Sequence, residues 1–293
     1  MTGAERGFLL LCSHLGNPER RILTTAQLRH LSRRIREMEK PPEDRELTER
    51  DLLQLGYGRE KAGQILQLLE DGELLNAYLS QGKIREVVPI TRVSATYPAL
   101  LMRRLGEDAP GCLWAKGDAS LLNTPAIALV GSRELRQENL KFARAVGVFA
   151  AEQGLTLISG NARGADRTAQ QACLEAGGRV ISVVADELTR HHPGEKLLYL
   201  SEDGYSDPFS VQRALSRNRC IHCLGKMVFV AQSDLKKGGT WQGTVANLRH
   251  NWSPVLCFRD GSEASVALEA MGAYLIGREE LSDFSMPEQM TMF

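Results

Sequence analysis

The chain has 293 residues, 43% of them hydrophobic, with 36 basic and 36 acidic side chains that cancel to a formal charge of zero. That length suits one large α/β domain plus a smaller one, and the composition argues against disordered and fibrous classes. With charge in balance, any nucleic-acid contact must come from a local basic patch and not from a global positive field. Near the amino terminus, Phe8 to Cys12 is too short for a signal h-region and Glu5 precedes it. No segment approaches the roughly 18 uninterrupted apolar residues of a membrane helix, so neither membrane contact nor export is expected. Six cysteines, Cys12, Cys112, Cys173, Cys220, Cys223 and Cys257, lie scattered in apolar surroundings. That usage suggests reduced thiols in a cytoplasm. Cys220-Ile-His-Cys223 lacks two further ligands at zinc spacing, so burial is expected there rather than a metal.

Residues 1–85 show Leu, Ile and Ala three or four apart and no strand signal, which predicts a small all-helical domain with a charged, proline-containing break from Lys40 to Glu46. Within it, Leu55-Gly-Tyr-Gly-Arg-Glu-Lys-Ala-Gly-Gln-Ile-Leu follows the helix-hairpin-helix pattern. Its glycines can expose N–H groups to a phosphate, and equally such a hairpin can serve packing alone. Val87 to Tyr97, a short apolar run, marks the passage to a second domain over 86–293. A helix is predicted over 99–104 and a strand over 112–115. Strands at 126–130, 155–158 and 179–184 then alternate with helices at 136–153 and 166–176. Further on come a helix at 209–224, a strand at 227–231, a helix at 241–249 and a strand at 255–258. A last helix, strand and helix follow at 266–271, 273–276 and from Glu279 onward. This alternation predicts a parallel sheet covered on both faces.

Four turns carry chemistry. Gly131-Ser-Arg follows the strand at 126–130: Gly131 permits a sharp exit, Ser132 can cap the next helix, and Arg133 with exposed N–H groups suits an anionic oxygen. The turn is not a Gly-x-Gly-x-x-Gly fingerprint, so a dinucleotide is poorly supported and no cofactor is expected. Ser159-Gly-Asn-Ala-Arg-Gly-Ala-Asp repeats the design: Gly160 and Gly164 leave bare backbone for a phosphate, and Asp166 reads as a helix cap or a clamp on Arg163. Arg217-Asn218-Arg219 puts two arginines about 200° apart on a helix, so at most one faces a groove while the other pairs inside, unless the helix starts only near Ser216; a plain charged helix face would look similar. Lys236-Lys237-Gly238-Gly239-Thr-Trp lies between a strand and a helix, where Trp241 either stacks on a base or anchors the helix.

Tyr97-Pro98, Trp114-Ala-Lys-Gly-Asp, Ile127-Ala-Leu-Val-Gly-Ser-Arg, Ile158-Ser-Gly-Asn-Ala-Arg-Gly-Ala-Asp, Gly178-Arg-Val-Ile-Ser-Val-Val, Leu200-Ser-Glu and Arg217-Asn-Arg-Cys-Ile together resemble, in order and spacing, the DNA-processing protein DprA (Smf) family over roughly residues 90–260. The resemblance implies an extended Rossmann-like parallel-sheet domain that binds single-stranded DNA in a basic pocket. It also implies a homodimer, and delivery of the strand to the RecA recombinase during natural transformation, without catalysis. The helical segment is similar to the sterile-alpha-motif-like domain that often precedes it. By this resemblance Gly131, Ser132, Arg133, Ser159, Gly160, Arg163, Gly164, Asp166, Arg217, Asn218 and Arg219 line the pocket, with Lys237, Gly238 and Gly239 at its edge. Departures mark a divergent member. Gln170 or Gln171 stands where the family usually has a histidine, and Asp186-Glu-Leu with His192-Pro replaces Gly-Leu-Asp with Tyr-Pro. The late loop reads Gly238-Gly-Thr…Gly-Thr, and no winged helix is expected after the sheet. An alternative is a nucleotide-ligand sensor or phosphoribohydrolase on the same fold. The late loop resembles the Gly-Gly-x-Gly-Thr of lysine-decarboxylase-like phosphoribohydrolases, but Val245, Ala246 and Asn247 stand where those carry a glutamate. A structural module whose glycine loops merely turn corners is the third reading.

Overall fold

A computed structural model describes residues 1–38, 47–282 and 284. Among the described residues five helices come first, α1 (Gly3–Cys12), α2 (Thr25–Arg36), α3 (Glu49–Gln54), α4 (Arg59–Glu70) and α5 (Gly72–Ile84), then β1 (Val87–Thr91), α6 (Ala99–Leu105) and β2 (Cys112–Gly117). The alternating part follows as β3 (Ala126–Val130), α7 (Gln137–Glu152), β4 (Thr156–Ser159), α8 (Ala165–Glu175), β5 (Arg179–Val183) and β6 (Leu197–Glu202). It continues with α9 (Val211–Leu224), β7 (Val228–Val230), α10 (Gly238–His250), β8 (Val255–Phe258), α11 (Glu263–Ala270) and β9 (Tyr274–Ile276). The first three helices start on threonines, Thr2, Thr24 and Thr48, each closed into a capping box by Glu5, Gln27 and Asp51 respectively.

All strands among the described residues join one nine-stranded sheet in the order β1-β2-β6-β5-β4-β3-β7-β8-β9. From β6 to β9 the pairs are parallel, as expected, whereas β2 runs antiparallel to both β1 and β6. Two strands, β1 and β6, exceed the prediction, which read Val87 onward as a passage and Leu197–Glu202 only through its Leu-Ser-Glu. Alternate residues of β3 serve the two faces. Ala126, Ala128 and Val130 pack with Leu101 of α6, Ile221 of α9, Val245 of α10 and Leu268 of α11. Ile127 and Leu129 pack with Phe142 and Val146 of α7 and Ala169 of α8. The result is three layers, helices on both faces of a mostly parallel sheet. Leu9, Leu28, Ile65 and Leu75 of the first helices cluster around Trp114 of β2 and Tyr205. There Tyr78 stacks on Tyr205 at 4.0 Å, and the Trp114 ring meets each tyrosine edge-on at 5.2 Å.

Several boundaries differ from expectation; α11, for one, starts at Glu263 and not at Val266, with Ser262 as its cap. Helix α9 starts at Val211 and not at Phe209, because Ser210 caps it by accepting from Arg213 N–H. Helix α10 starts at Gly238 and not at Trp241, so half of the lysine-glycine turn is already helical. The last expected helix is a single 3₁₀ turn at Glu279–Leu281; the predicted break at 40–46 and the residues after 284 lie outside the described residues. None of the helices among the described residues is long and apolar enough to cross a membrane.

Candidate functional site

Strand β3 lies between β4 and β7, and the chain leaves it first towards β4 and later takes up the opposite neighbour, β7. Such a reversal opens a crevice at the strands' carboxyl ends. Loops 131–136, 160–164 and 231–237 gather there, and α7, α8 and α10 begin on them with Arg136, Gly164 and Lys237 at the N-cap position. None of the three has a side-chain cap, in contrast to the Ser210 and Ser262 caps of α9 and α11. Three helix N-termini with their partial positive charge thus point to one rim.

The first loop is shaped by its neighbours. Gly131 runs close to Ala165 and Ala231. Ser132 does not cap a helix as its sequence position suggested. The loop continues to Arg136, and both Ser132 N and Oγ face Gln232 O, at 3.0 and 3.4 Å. Gln232, which the sequence did not single out, holds the loop from the β7 side: its Oε1 accepts from Arg136 N at 2.9 Å and its Nε2 donates to Glu134 O at 3.0 Å. Arg133 is exposed on this loop, close enough to act electrostatically on both Asp166 and Arg217.

The second loop closes around Asp166. Its Oδ2 accepts from Gly160 N at 3.2 Å and Ala162 N at 3.1 Å, so the carboxylate clamps the loop's backbone and not Arg163. Arg163 turns outward to an exposed pair with Glu134 at 3.2 Å, away from the Asp166 cluster. Gly164 holds φ +88°, and a Cβ there would stand 2.4 Å from Arg133 O. Only glycine lets the two loops cross so closely. Ser159 is buried and accepts from Gln170 Nε2 at 2.5 Å; the same amide donates to Ser182 Oγ at 3.2 Å. Gln170 therefore ties β4 to β5 below the rim.

Arg217 comes in from α9. It is 9% exposed, and its Nη1 lies 4.0 Å from Asp166 Oδ2. Its guanidinium lies in the space a side chain on residue 160 would need: a Cβ on Gly160 would be 1.2 Å from Nη1. Among the described residues Arg217 Nε has no hydrogen-bond partner. Burial lowers the Arg217 pKa and raises that of Asp166, in each case against the attraction of the other. Both shifts favour the neutral forms, as expected where desolvation outweighs a pair held at 4.0 Å. Asn218, one residue on, donates to Gly239 O at 3.2 Å and so joins α9 to the start of α10. Arg219 acts electrostatically on Asp203, Cys220 and Cys223, on the other side of the helix, and is not brought to the Gly160 loop.

Lys237 and Gly238 are exposed and Gly239 half-buried at the N-terminus of α10, while Trp241 is 7% exposed in the core, so it anchors the helix. Arg213, also unforeseen, fixes α9 from below. It donates to the carbonyls of Ala185, Glu202, Gly204, Asp207 and Pro208 and to Ser201 Oγ, at 2.8–3.4 Å. Cys220 and Cys223 are buried; Cys220 Sγ donates to Glu202 Oε1 at 2.9 Å, and burial pushes the Cys223 thiol up to about 12. The crevice thus offers a buried guanidinium, an exposed arginine, two exposed lysines and three helix starts, a set suited to anionic oxygens.

Residues 89–280 match the family model described as DNA recombination-mediator protein A. The chain is 33% identical over 141 residues to the DNA processing protein DprA of Streptococcus pneumoniae, covering 45% of this chain and 50% of that one. It is 31% identical over 156 residues to protein Smf of Escherichia coli, covering 50% and 41%. The chain thus spans about half the length of these curated relatives. Its fold is that of the S. pneumoniae DprA crystal structure, with a TM-score of 0.74 at 24% identity over 98% of this chain and 100% of that one. It is shared, with a TM-score of 0.56 at 22% identity over 68% and 94%, by the DNA processing protein A of Helicobacter pylori, a structure concerned with that protein's single-stranded DNA binding mode. By its family model and its relatives, the chain belongs to the DNA recombination-mediator protein A family, that of the DprA and Smf proteins.

Proposed function

We propose that the chain binds single-stranded DNA through its phosphates along the rim at the carboxyl ends of β3, β4 and β7, without catalysing a reaction on it. The observation that carries this reading is Arg217: a guanidinium 9% exposed, laid against the bare backbone of Gly160, with its Nη1 4.0 Å from Asp166 Oδ2 and so beyond hydrogen-bond reach of it. Burying an arginine this way is costly unless a further acceptor completes it, and a phosphate oxygen supplies one. Loops contributing Arg133, Lys237 and Gly239 extend the rim beyond what a single mononucleotide phosphate occupies, which favours a polymer. The family supports the same reading, together with passage of the strand to a RecA-type recombinase by a homodimer in the cytoplasm. Residues 1–85 are read as a supporting helical domain for the unit over 86–293.

The test is a filter-binding series with single-stranded DNA, duplex DNA and mononucleotides at two salt concentrations. Single-stranded DNA binds best, its affinity falls steeply with salt, and Arg133→Ala and Arg217→Ala weaken it for all sequences alike. Salt-insensitive or absent oligonucleotide binding refutes the reading. A preference for mononucleotides transfers the site to a small nucleotide ligand.

A further inference from the structure

Three large apolar side chains stand in solvent where the chain enters α9: Phe209 is 53% exposed, Val211 69% and Leu215 41%. Val211, Leu215 and Asn218 recur at helical spacing along one face, with about 6 Å between the first two. The far end of this stripe touches the candidate site. Asn218 Nδ2 donates to Gly239 O at 3.2 Å, and Leu215 Cδ2 lies 3.7 Å from where a Cβ on Gly239 would be. Exposed Lys236 and Lys237 lie just beyond Gly239, so the apolar stripe runs into a cationic turn. A core role does not explain these side chains, since the buried face of the same helix is already filled by Cys220, Ile221, Cys223 and Leu224.

We propose that Phe209, Val211 and Leu215 form a platform for the bases of a strand whose phosphates lie on the rim formed by Lys237, Gly239 and Arg217. This rests on the proposed DNA binding and adds a discriminating element to it. An apolar stripe leading into cations matches a single strand, whose unpaired bases present apolar faces beside an anionic backbone. A duplex keeps its bases stacked inside and offers the stripe nothing. The platform therefore selects unpaired DNA over duplex and polymer over mononucleotide, without reading sequence.

The experiment compares binding of an oligothymidylate with binding of an abasic strand of the same length and phosphate number. The wild-type chain binds the base-bearing strand more tightly, by about tenfold for each base that stacks. Phe209→Ser with Leu215→Ser removes that preference and leaves the abasic strand's affinity unchanged, while Phe209→Trp keeps it. Because all the altered side chains are exposed, the fold survives, which near-ultraviolet circular dichroism verifies. Equal affinity of the wild type for the two strands, or equal weakening of both by the double variant, overturns the platform and leaves phosphate binding intact. Loss of self-association in the double variant, with strand binding unaltered, also overturns it and gives the stripe to a second copy of this chain. Binding of neither strand refutes both the platform and the function on which it rests.

Discussion

Gly160→Ala is a small change with a large expected effect. The added Cβ would lie 1.2 Å from Arg217 Nη1, 2.2 Å from Cζ and 2.5 Å from Nη2. All three nearest atoms belong to the end of one flexible side chain, and Gly160 is not among the glycines held at positive φ. The backbone therefore tolerates alanine, and Arg217 swings away. Asp166 keeps its two N–H donors from Gly160 and Ala162, so stability falls by no more than about 1–2 kcal/mol. Binding loses one charge-assisted contact, worth about 1.5–3 kcal/mol, which is roughly ten- to a hundredfold in affinity. Fluorescence anisotropy with a labelled single strand reads the loss, and urea denaturation reads stability. Because both substitutions remove the same guanidinium, Gly160→Ala combined with Arg217→Ala binds no worse than either alone. Wild-type affinity in Gly160→Ala, or additive losses in the double variant, refutes the assignment of Arg217 to the phosphate site.

Three further outcomes follow from other contacts. Lys237→Ala lowers the slope of log affinity against log salt by about 0.7, the share of one phosphate on a single strand; an unchanged slope removes Lys237 from the interface. Asp203 is pushed up to about 7 by burial, with Glu202 and Asp207 adding repulsion and Arg213 and Arg219 opposing. A carboxyl raised in this way contributes stability that is complete below about 4 and lost as pH rises through about 7. Asp203→Asn, which suits the φ of +65° at this position, therefore matches wild type in melting temperature at pH 4 and exceeds it at pH 8; parallel curves count against the shift. Tyr78→Phe deletes the hydroxyl that accepts from Tyr205 N at 3.0 Å and Ser206 N at 3.2 Å. With donors left unsatisfied in a largely buried place, the urea midpoint falls by the equivalent of about 1–3 kcal/mol at constant m.

What the sequence made legible were the parts whose signal is local. The strands at 126–130 and 255–258 match the structure residue for residue, because each is a short apolar run cut off by polar or glycine-rich residues. The two glycine loops were legible because glycine has few other reasons to recur at a strand end. Their partners were not. Gln232, Arg213 and Gln170 act on backbone carbonyls, N–H groups and hydroxyls, acceptors and donors that every loop possesses and that leave no complementary residue in the sequence. Arg163 sat in the motif yet turned outward to Glu134, because Asp166 was already held by backbone N–H groups. Arg217 and Arg219 showed the limit from the other side. Helical geometry allows at most one of them to face the groove, and only the docking of α9 by Arg213 and Asn218 decides which.

Strand β2 places Leu113 and Ala115 in the core shared with α6 and α9, and Trp114 between them in the core of the first helices. One backbone thus lines two interiors with alternate residues. Loosening the amino-terminal helices leaves Trp114 and Tyr205 facing water and strips the packing from one side of β2, a strand that pairs with β6 from Leu113 to Gly117. The shared strand predicts that helices and sheet melt in a single cooperative transition, with coincident urea curves by tryptophan fluorescence and far-ultraviolet circular dichroism as the check.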